Sequence, residues 1–421
     1  MERLHLLLIN QYFPPDTAAT AKMAALVAGA LAREHRVTVL CGRPSYDPTE
    51  RHPYYLGHRE VRDNLVVERV GSATLSRHRM RGRLGNYLSY FALAVPRALA
   101  IRADAVIAMT DPPGVGIAAV FVASIKRVPF IYNIRDLHPD MAVQGGLIRG
   151  GLVTAVWERL HRWALRRADR VIVLGDDMRE RIIAKGVQPA RVAVVRDGAA
   201  IPDVEPARDH PVVQEIRSGF RFVVLHAGNL GFYGAWDTLL KAADFLNGKP
   251  VGMIFVGGGA AEGRLRQLAG SNSRVRFLPF RPAAEVPYVM TAGDLHVVTV
   301  RRGLEGVVVP SKLYGILAAG RPVLAVAPET SDVARIVRRY DCGFVADPDD
   351  PQAVAAVIHE AMASPERLTA MGARGRAAAR GFEQSVQLQR YVGVVEEAMM
   401  ETQQTPHPHP LPRGEGDLNW R

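Results

Sequence analysis

The sequence predicts an α/β protein of two doubly wound, parallel-sheet domains. Three observations carry that reading. Short apolar runs of strand length alternate with helical patterns from the first residues onward. The alternation breaks once, at IPDVEPARDHP (Ile201–Pro211), which is rich in proline and charge and has no apolar period, and then restarts. The length of 421 residues exceeds what one ordinary core organises.

Taken in order, LHLLLIN is a strand, AKMAALVAGALAREH a helix and RVTVLCG a strand, and DNLVVERVGS adds another. A helical stretch from Gly85 to Arg102 follows, then the strand DAVIAMT, a helix after DPPG, and the strand PFIYNIRD. A helix from about Gly151 to Arg167 leads to RVIVLG, the helix DDMRERIIAKGV and the strand RVAVVRDG. After the linker come FRFVVLHAG, the helix WDTLLKAADFL and VGMIFVGGG. RVRFLPF, DLHVVTV, RPVLAVA and CGFVADP are further strands with helices between them. The domains expected are therefore residues 1–205 and 212–380, with a C-terminal helix over 381–400 and a disordered, proline-rich tail over 401–421.

Composition narrows the class. Apolar residues make 48% and charged residues 23%, a globular profile. No 18-residue apolar run predicts a membrane span, and MERLHLLLIN reads as a first buried strand rather than a leader. Cys41 and Cys342 are too far apart for a metal spacing or a disulfide framework, so a cytoplasmic setting is expected. The net charge of +11 is uneven: residues 1–205 carry 29 Lys/Arg against 20 Asp/Glu, residues 206–421 carry 24 against 22. A basic half points to an anionic partner, whether membrane, nucleic acid or acidic substrate; no nucleic-acid motif accompanies the charge. Two elements concentrate it. SRHRMRGRL sets Arg77, Arg79, Arg81 and Arg83 around a loop. The helix from Gly151 has Val153, Val156, Trp157, Leu160 and Trp163 on one face and Arg159, Arg162, Arg166 and Arg170 on another. Such a helix is expected to pack by its apolar side and steer by its charges, with docking on an anionic leaflet as the compatible alternative.

The chemistry-bearing stretches lie mostly in the second half. EGVVVPSKLYGILAAGRPV places Pro310 and Ser311 just before a helix and Lys312 in its first turn. A helix start with a serine and a lysine is a ready anion site; the competing reading is a capping serine beside a solvated lysine. Lysine is scarce, six residues against 47 arginines, which gives Lys312 some weight. HAGNLG carries Gly228 and Gly231 at a strand end, and FVGGG carries Gly257 and Gly258 at another, where a doubly wound sheet binds its ligands. No GxGxxG follows the first strand of either domain, which argues against a dehydrogenase.

In the first domain the landmarks NQYFPPDTAATA, MTDPPG, YNIRDLHPD and VIVLGDDMRERI stand in order. HAGNLGFYGAWDTLLKAA, FVGGG, FLPFRPAAEVP, VPSKLYGILAAGRPVLA and CGFVADPDD follow in the second. Together, over about residues 4–400, the chain resembles the GT-B glycosyltransferases, specifically family 4 and its bacterial surface-polysaccharide (WbuB-like) subgroup. The resemblance implies two Rossmann-like domains facing a central cleft; the C-terminal helix commonly crosses back to brace the first domain in this fold, and the sequence leaves that open. It implies a retaining, metal-independent transfer of a sugar, with an N-acetylated one expected. The donor would be a nucleotide sugar, expected to be UDP-linked and bound by the second domain, with no further cofactor. The acceptor would be a polyprenyl-diphosphate-linked saccharide met at the inner membrane face.

By that resemblance the donor is held by Gly228, Asn229, Gly231, Gly257, Gly258, Pro310, Ser311, Lys312 and Tyr314, with the base near Phe280 and Arg281. The acceptor meets Phe13, Pro14, Thr17 and Arg135, and Asp136, His138 and Glu305 are the catalytic candidates. The chain departs from the family at two glutamates eight positions apart, replaced by Val307 and Gly315, and at a basic pair replaced by Asn229 and Tyr233. Lys312 and the pair Arg301–Arg302 are the expected compensation. The departures keep two alternatives open: an inactive nucleotide-sugar-binding or scaffold protein, and a sugar-nucleotide epimerase on the same fold.

Overall fold

The computed structural model describes residues 3–44, 57–73, 75, 80–202 and 206–404. The chain opens with β1 (His5–Ile9), α1 (Ala19–Leu31), β2 (Arg36–Gly42), β3 (His58–Arg62) and β4 (Leu65–Val70). Then come α2 (Met80–Ala100), β5 (Ala105–Ala108), α3 (Val115–Lys126), β6 (Phe130–Asn133) and α4 (Asp140–Gln144). α5 (Leu152–Arg167), β7 (Arg170–Val173), α6 (Asp176–Ala184) and β8 (Val192–Val194) follow. The next elements are α7 (Pro211–Arg217), β9 (Phe222–Asn229), α8 (Trp236–Asp244), β10 (Val251–Gly258), α9 (Glu262–Ala269) and β11 (Val275–Leu278). α10 (Val286–Ala292), β12 (Leu295–Thr299), α11 (Lys312–Ala318), β13 (Val323–Val326), α12 (Asp332–Tyr340) and β14 (Gly343–Ala346) come after them. α13 (Pro351–Ala363), α14 (Pro365–Ala379) and α15 (Gln384–Gln404) end the described chain.

Two sheets result. One has eight strands in the order β3-β4-β2-β1-β5-β6-β7-β8, the other six in the order β11-β10-β9-β12-β13-β14. Leu6, Leu7 and Leu8 of β1 are all fully buried, as a central parallel strand covered on both faces requires. Every neighbouring pair of the six-stranded sheet is parallel. Its order reverses direction between β9 and β12, so the carboxyl ends of those strands form the switch point where such sheets bind ligands.

By compactness the chain divides into two units. The first comprises Met1–Tyr132, Arg167–Val171 and Tyr391–Arg421. In it His35 Nε2 lies 3.1 Å from Glu396 Oε1, which ties the last helix to the end of α1. The second comprises Asn133–Arg166 and Ile172–Arg390, and holds the core of Trp236, Leu239, Met253, Phe255 and Leu324.

Several elements differ from expectation. β3 is an antiparallel edge strand whose HREVR sequence has no apolar period, and Val61 on it is exposed. α7 is a two-turn helix at the end of the expected linker, started by the His210 ring accepting from Val212 N–H and closed by buried Val212, Val213 and Ile216. α2 begins at Met80, so Arg81 and Arg83 are helical rather than in a loop. Arg77 and Arg79 lie outside the described residues, as do 405–421 of the expected tail, whereas 401–404 continue α15.

α5 reverses the expected orientation and ends short of Arg170, which opens β7. Its buried residues are His161, Ala164 and Leu165, while Leu152, Val153, Val156, Leu160 and Trp163 are exposed. The reason is polar. Lys185 Nζ donates to Asp140 Oδ2 at 2.7 Å and to both Glu158 oxygens at 2.8 and 2.9 Å, so α5 must turn Glu158 inward. Burial alone would raise the Glu158 carboxyl, yet the Lys185 and Arg162 bonds hold it below its ordinary value.

Candidate functional site

The switch point of the six-stranded sheet is built from glycines first. β9 and β10 pair to their ends, with Gly257 opposite Gly228 and Gly258 opposite Asn229. A Cβ at Gly257 would stand 2.1 Å from the Gly228 carbonyl oxygen, and its φ of 137° already favours glycine. The loop beyond β9 is laid across this end: Leu230 N–H donates to Gly258 O at 2.8 Å and Ala261 N–H to Leu230 O at 2.9 Å. Gly231 is needed for packing, since a Cβ there would meet the Tyr233 ring at 2.4 Å.

Over this glycine end stands Lys312, the first residue of α11. Its Nζ would lie 3.9 Å from a Gly228 Cβ, is 3.2 Å from His226 Nε2, and sits 5.7 Å from the Tyr233 ring centre. Among the described residues no carboxylate pairs with it. Burial lowers the ammonium to about 7, and burial together with the Lys312 charge holds the His226 ring well below its ordinary value. Ser311 stands at the N-cap position of α11, exposed, and its side chain makes no capping bond. Tyr233 hydroxyl donates to Asn229 O at 3.0 Å, which sets the ring beneath the ammonium.

The loop 301–308 is held from α6. Arg181 donates to Glu305 O at 2.5 Å and to Gly303 O at 2.9 Å. Asp177 Oδ2 accepts from Gly306 N–H at 3.0 Å and from Asp332 N–H at 2.9 Å. Burial pushes the Asp177 carboxyl up to about 6 against those amides. Glu305 is left with a buried Oε2 that has no hydrogen-bond partner among the described residues. Asp136 bridges to Val308 on the same loop, and Leu137 N–H donates to Val307 O at 3.1 Å. Burial raises the Asp136 carboxyl, with Arg135 opposing, and burial raises the Tyr233 hydroxyl with Asp136 adding to it. Asp136, Tyr233, Lys312 and the 305–308 loop are thus one neighbourhood of the second unit.

Other expected residues are placed differently. Tyr314 is 2% exposed and packs in the core, 5.3 Å from the Phe382 ring, so its side chain is not at the switch point. The Arg135 guanidinium pairs with Asp197 at 2.7 Å, both nearly buried. His138 stacks on Trp157 at 5.8 Å. Arg281 pairs with Glu215, while Phe280 is 63% exposed with its ring 3.5 Å from a Gly258 Cβ position, an open aromatic face at the strand ends. Arg302 is paired with Asp347 and Asp349, and Arg301 donates to Gln144 O at 2.8 Å, so both guanidiniums expected to compensate already have partners. Pro310 precedes Ser311 at the partly exposed entry to α11. In the first unit Phe13 is buried, Pro14 O accepts from Arg69, and Thr17 is exposed ahead of α1 without capping it.

Val307 is fully buried, whereas a Cβ at Gly315 would meet nothing within 4 Å. Of the two replaced glutamate positions only the second has room for one. Sequence reasoning passed over His226, Asp177 and Arg181. The first stands in HAGNLG beside the glycines that were noticed, but nothing in sequence tells a strand-end histidine facing a lysine from one facing the core. Among the described residues no group of three or more His, Cys, Asp or Glu could hold a metal ion.

Comparison with known proteins adds the following. The family described as Glycosyl transferase 4-like domain matches residues 17–198, and Glycosyl transferases group 1 matches residues 214–378. The chain is similar to a protein named as the glycosyltransferase WbjE of Pseudomonas aeruginosa, 26% identical over 62% of this chain and 66% of that one. It is also similar to a protein named as a colanic acid biosynthesis glycosyl transferase, WcaI of Escherichia coli K12, 25% identical over 59% of this chain and 63% of that one. The matches span a little under two thirds of the length of these curated relatives. Among solved structures it is similar to HepE of Anabaena in complex with UDP, with a TM-score of 0.67 at 18% identity, covering 94% of this chain and 100% of that one. At that identity the likeness is one of fold.

Proposed function

The chain belongs to the glycosyltransferases that join a 4-like domain to a group 1 domain, and from that premise we propose that it moves an N-acetylated sugar from a UDP-linked donor to a lipid-linked saccharide. The transfer retains the anomeric configuration, needs no metal and serves surface-polysaccharide biosynthesis at the cytoplasmic face of the membrane. The sugar-nucleotide-binding domain is the second (212–380) and the acceptor domain the first (1–205). The complex of HepE with UDP, and the polysaccharide role in the name of WcaI, support the donor and the setting.

One observation carries the reading: a half-buried lysine without a carboxylate partner, Lys312, over the glycine-lined carboxyl end of β9 and β10. A metal-free diphosphate leaving group needs such a charge together with close backbone amides. The donor diphosphate lies against Gly228–Gly231 and Lys312, and Phe280 stacks on the base. The acceptor hydroxyl oxygen bonds to the anomeric carbon as the bond from that carbon to the diphosphate oxygen breaks. The electron pair leaves with the diphosphate, whose oxygen takes the acceptor proton. Asp136 orients the acceptor, and the unpartnered Glu305 Oε2 accepts from a donor sugar hydroxyl.

Calorimetric titration of the wild type and Lys312→Ala with UDP, GDP and NAD tests this. The expected result is preferential UDP binding, weakened about tenfold or more by the substitution, or at least roughly 1.4 kcal/mol. Equal UDP binding by both proteins removes Lys312 from the site. If none of the three binds, the transferase reading gives way to a scaffold, the alternative that the loss of both family glutamates favours. Release of UDP from UDP-N-acetyl sugars on adding lipid-linked acceptor separates an enzyme from a binder.

A further inference from the structure

We propose that an arginine-lined cavity beside α12 is a binding site for a small phosphate monoester, and that it shares no residue with the β9–β10 end. The cavity has a volume of about 540 Å³, an ordinary size for a small-molecule site, and the residues lining it all belong to the second unit. Four guanidiniums enter it: Arg196 after β8, Arg335 and Arg339 of α12, and Arg390 of α15. Two of them are spent. Arg196 donates to Asp176 and to Asp332, at 2.8 Å each, and these are the acids of the lining. Arg335 forks onto Glu180 at 2.6 and 3.0 Å. Arg339 and Arg390 are exposed, and neither meets a carboxylate among the described residues.

A solvated arginine needs no ligand, and the dipole of α12 accounts for basic residues in its last turn, Arg338 and Arg339. Three features go further. Arg335 has Glu180 and Arg338 has Glu329, so of the three arginines of α12 only Arg339 is left without an acid. It stands four residues from Arg335, a like-charge pair on one helix face that an anion between them relieves. Arg390 arrives from a different helix, which the dipole of α12 does not explain. In the wall, Arg196 Nε is buried with no acceptor among the described residues, a desolvated donor that an incoming oxygen satisfies.

Charge and lining choose the ligand. Two uncommitted guanidiniums match one phosphate monoester, which carries about −1.5 to −2 at neutral pH, and their planar forks suit phosphate oxygens. The rest of the lining is apolar: Tyr340 and Phe382, ring centres 5.7 Å apart and edge to face, with Ile336. That surface takes a small ring as the body of the ester. The wall is also set in advance. Gln387 accepts from Arg196 N–H at 3.0 Å and donates to Gly381 O at 2.8 Å, and the Arg196 guanidinium lies 5.8 Å from the Phe382 ring centre. The site goes beyond the proposed function and does not depend on it.

The test is calorimetric titration of the full chain with glucose 1-phosphate, inorganic phosphate and glucose. Wild type should bind glucose 1-phosphate at millimolar concentration or below, inorganic phosphate more weakly and glucose not at all. Arg339→Gln/Arg390→Gln should weaken the sugar phosphate about tenfold or more, with an unchanged melting temperature. Arg339→Lys/Arg390→Lys should recover part of the loss, as a point charge without the fork does. Lys312→Ala should bind the sugar phosphate as wild type does. Failure of wild type to bind either phosphate overturns the proposal, and so does undiminished binding by the folded glutamine pair. Loss of sugar phosphate in Lys312→Ala also overturns it, by moving the phosphate to the β9–β10 end. Glucose as tight as its phosphate removes the arginines, and inorganic phosphate as tight as the ester overturns the ring contact. UDP titration of the same proteins keeps the two readings apart: sugar phosphate bound without UDP fails the transferase reading alone, and UDP bound without sugar phosphate fails the cavity alone.

Discussion

Two lysines are enclosed in the second unit, and they are enclosed in opposite ways. Lys185 is 6% exposed and meets two carboxylates, Asp140 and Glu158, through three hydrogen bonds of 2.7 to 2.9 Å. Lys312 has a histidine and a tyrosine ring for company and no carboxylate. A buried charge with its counter-charges in place is finished; it fixes α4, α5 and α6 to one another and has nothing left to bind. A half-buried ammonium without them is lowered by desolvation to about 7, and an anion beside it would favour its charged form. A chain with six lysines in 421 residues thus uses one as a rivet and, on the function proposed, keeps another for a ligand.

The comparison breaks most visibly in stability. Lys185→Met strands two part-buried carboxylates, and urea unfolding should show a loss of about 3 kcal/mol. Lys312→Met should show none. Its folded value lies below the unfolded 10.5, so the unfolded chain binds the extra proton, and stability from this group rises with pH between about 7 and 10.5. Removing the lysine therefore removes a cost at neutral pH. A loss for Lys312→Met as large as that for Lys185→Met would make both lysines rivets.

Next in size is the pH dependence of ligand binding. If a diphosphate supplies the missing counter-charge, Lys312 is protonated in the complex throughout the neutral range. In the free protein it loses its proton as pH rises through about 7. UDP affinity should then be greatest below that point and fall about tenfold per unit above it, near a hundredfold by pH 9. Titration at pH 8 in buffers of different ionisation enthalpy should report uptake of close to one proton. A flat profile between pH 6 and 9 would mean that the diphosphate is held without this ammonium.

How far the sequence foretold these roles follows from what kind of contact decides each one. The alternation of strands and helices, the glycines of β9 and β10 and the place of Lys312 at the head of α11 are local, and all were legible. In α12 the apolar Val333, Ile336 and Val337 face the core while Arg338 and Arg339 face out. α5 shows nearly the same arginine-rich amphipathic pattern and does the reverse, because Lys185 claims Glu158 from 27 residues further along the chain. No periodicity in α5 encodes that. Tyr314 failed for a similar reason: one position along a short helix decides between the switch point and the Phe382 core. β3 and α7 escaped because one has no apolar period and the other only two turns.

The smallest effect tests whether Lys312 can be turned into a second Lys185. Gly315 stands three residues along α11 from Lys312, on the neighbouring side of the helix, and has open space where a side chain would begin. Gly315→Glu should stabilise the protein by about 0.5 to 1 kcal/mol by removing a helical glycine. It also places a carboxylate within reach of the ammonium, worth roughly 0.2 to 0.5 kcal/mol as a helix pair. UDP binding should weaken only slightly at pH 7, but the midpoint of its pH profile should move upward, since a partnered ammonium keeps its proton longer. The matching change at Val307 has no such outcome, because a glutamate there replaces a fully buried side chain and should unfold the loop it anchors. A Gly315→Glu protein whose midpoint stays near 7 would show that Lys312 is shielded from its own helix, its charge directed wholly at the β9–β10 end.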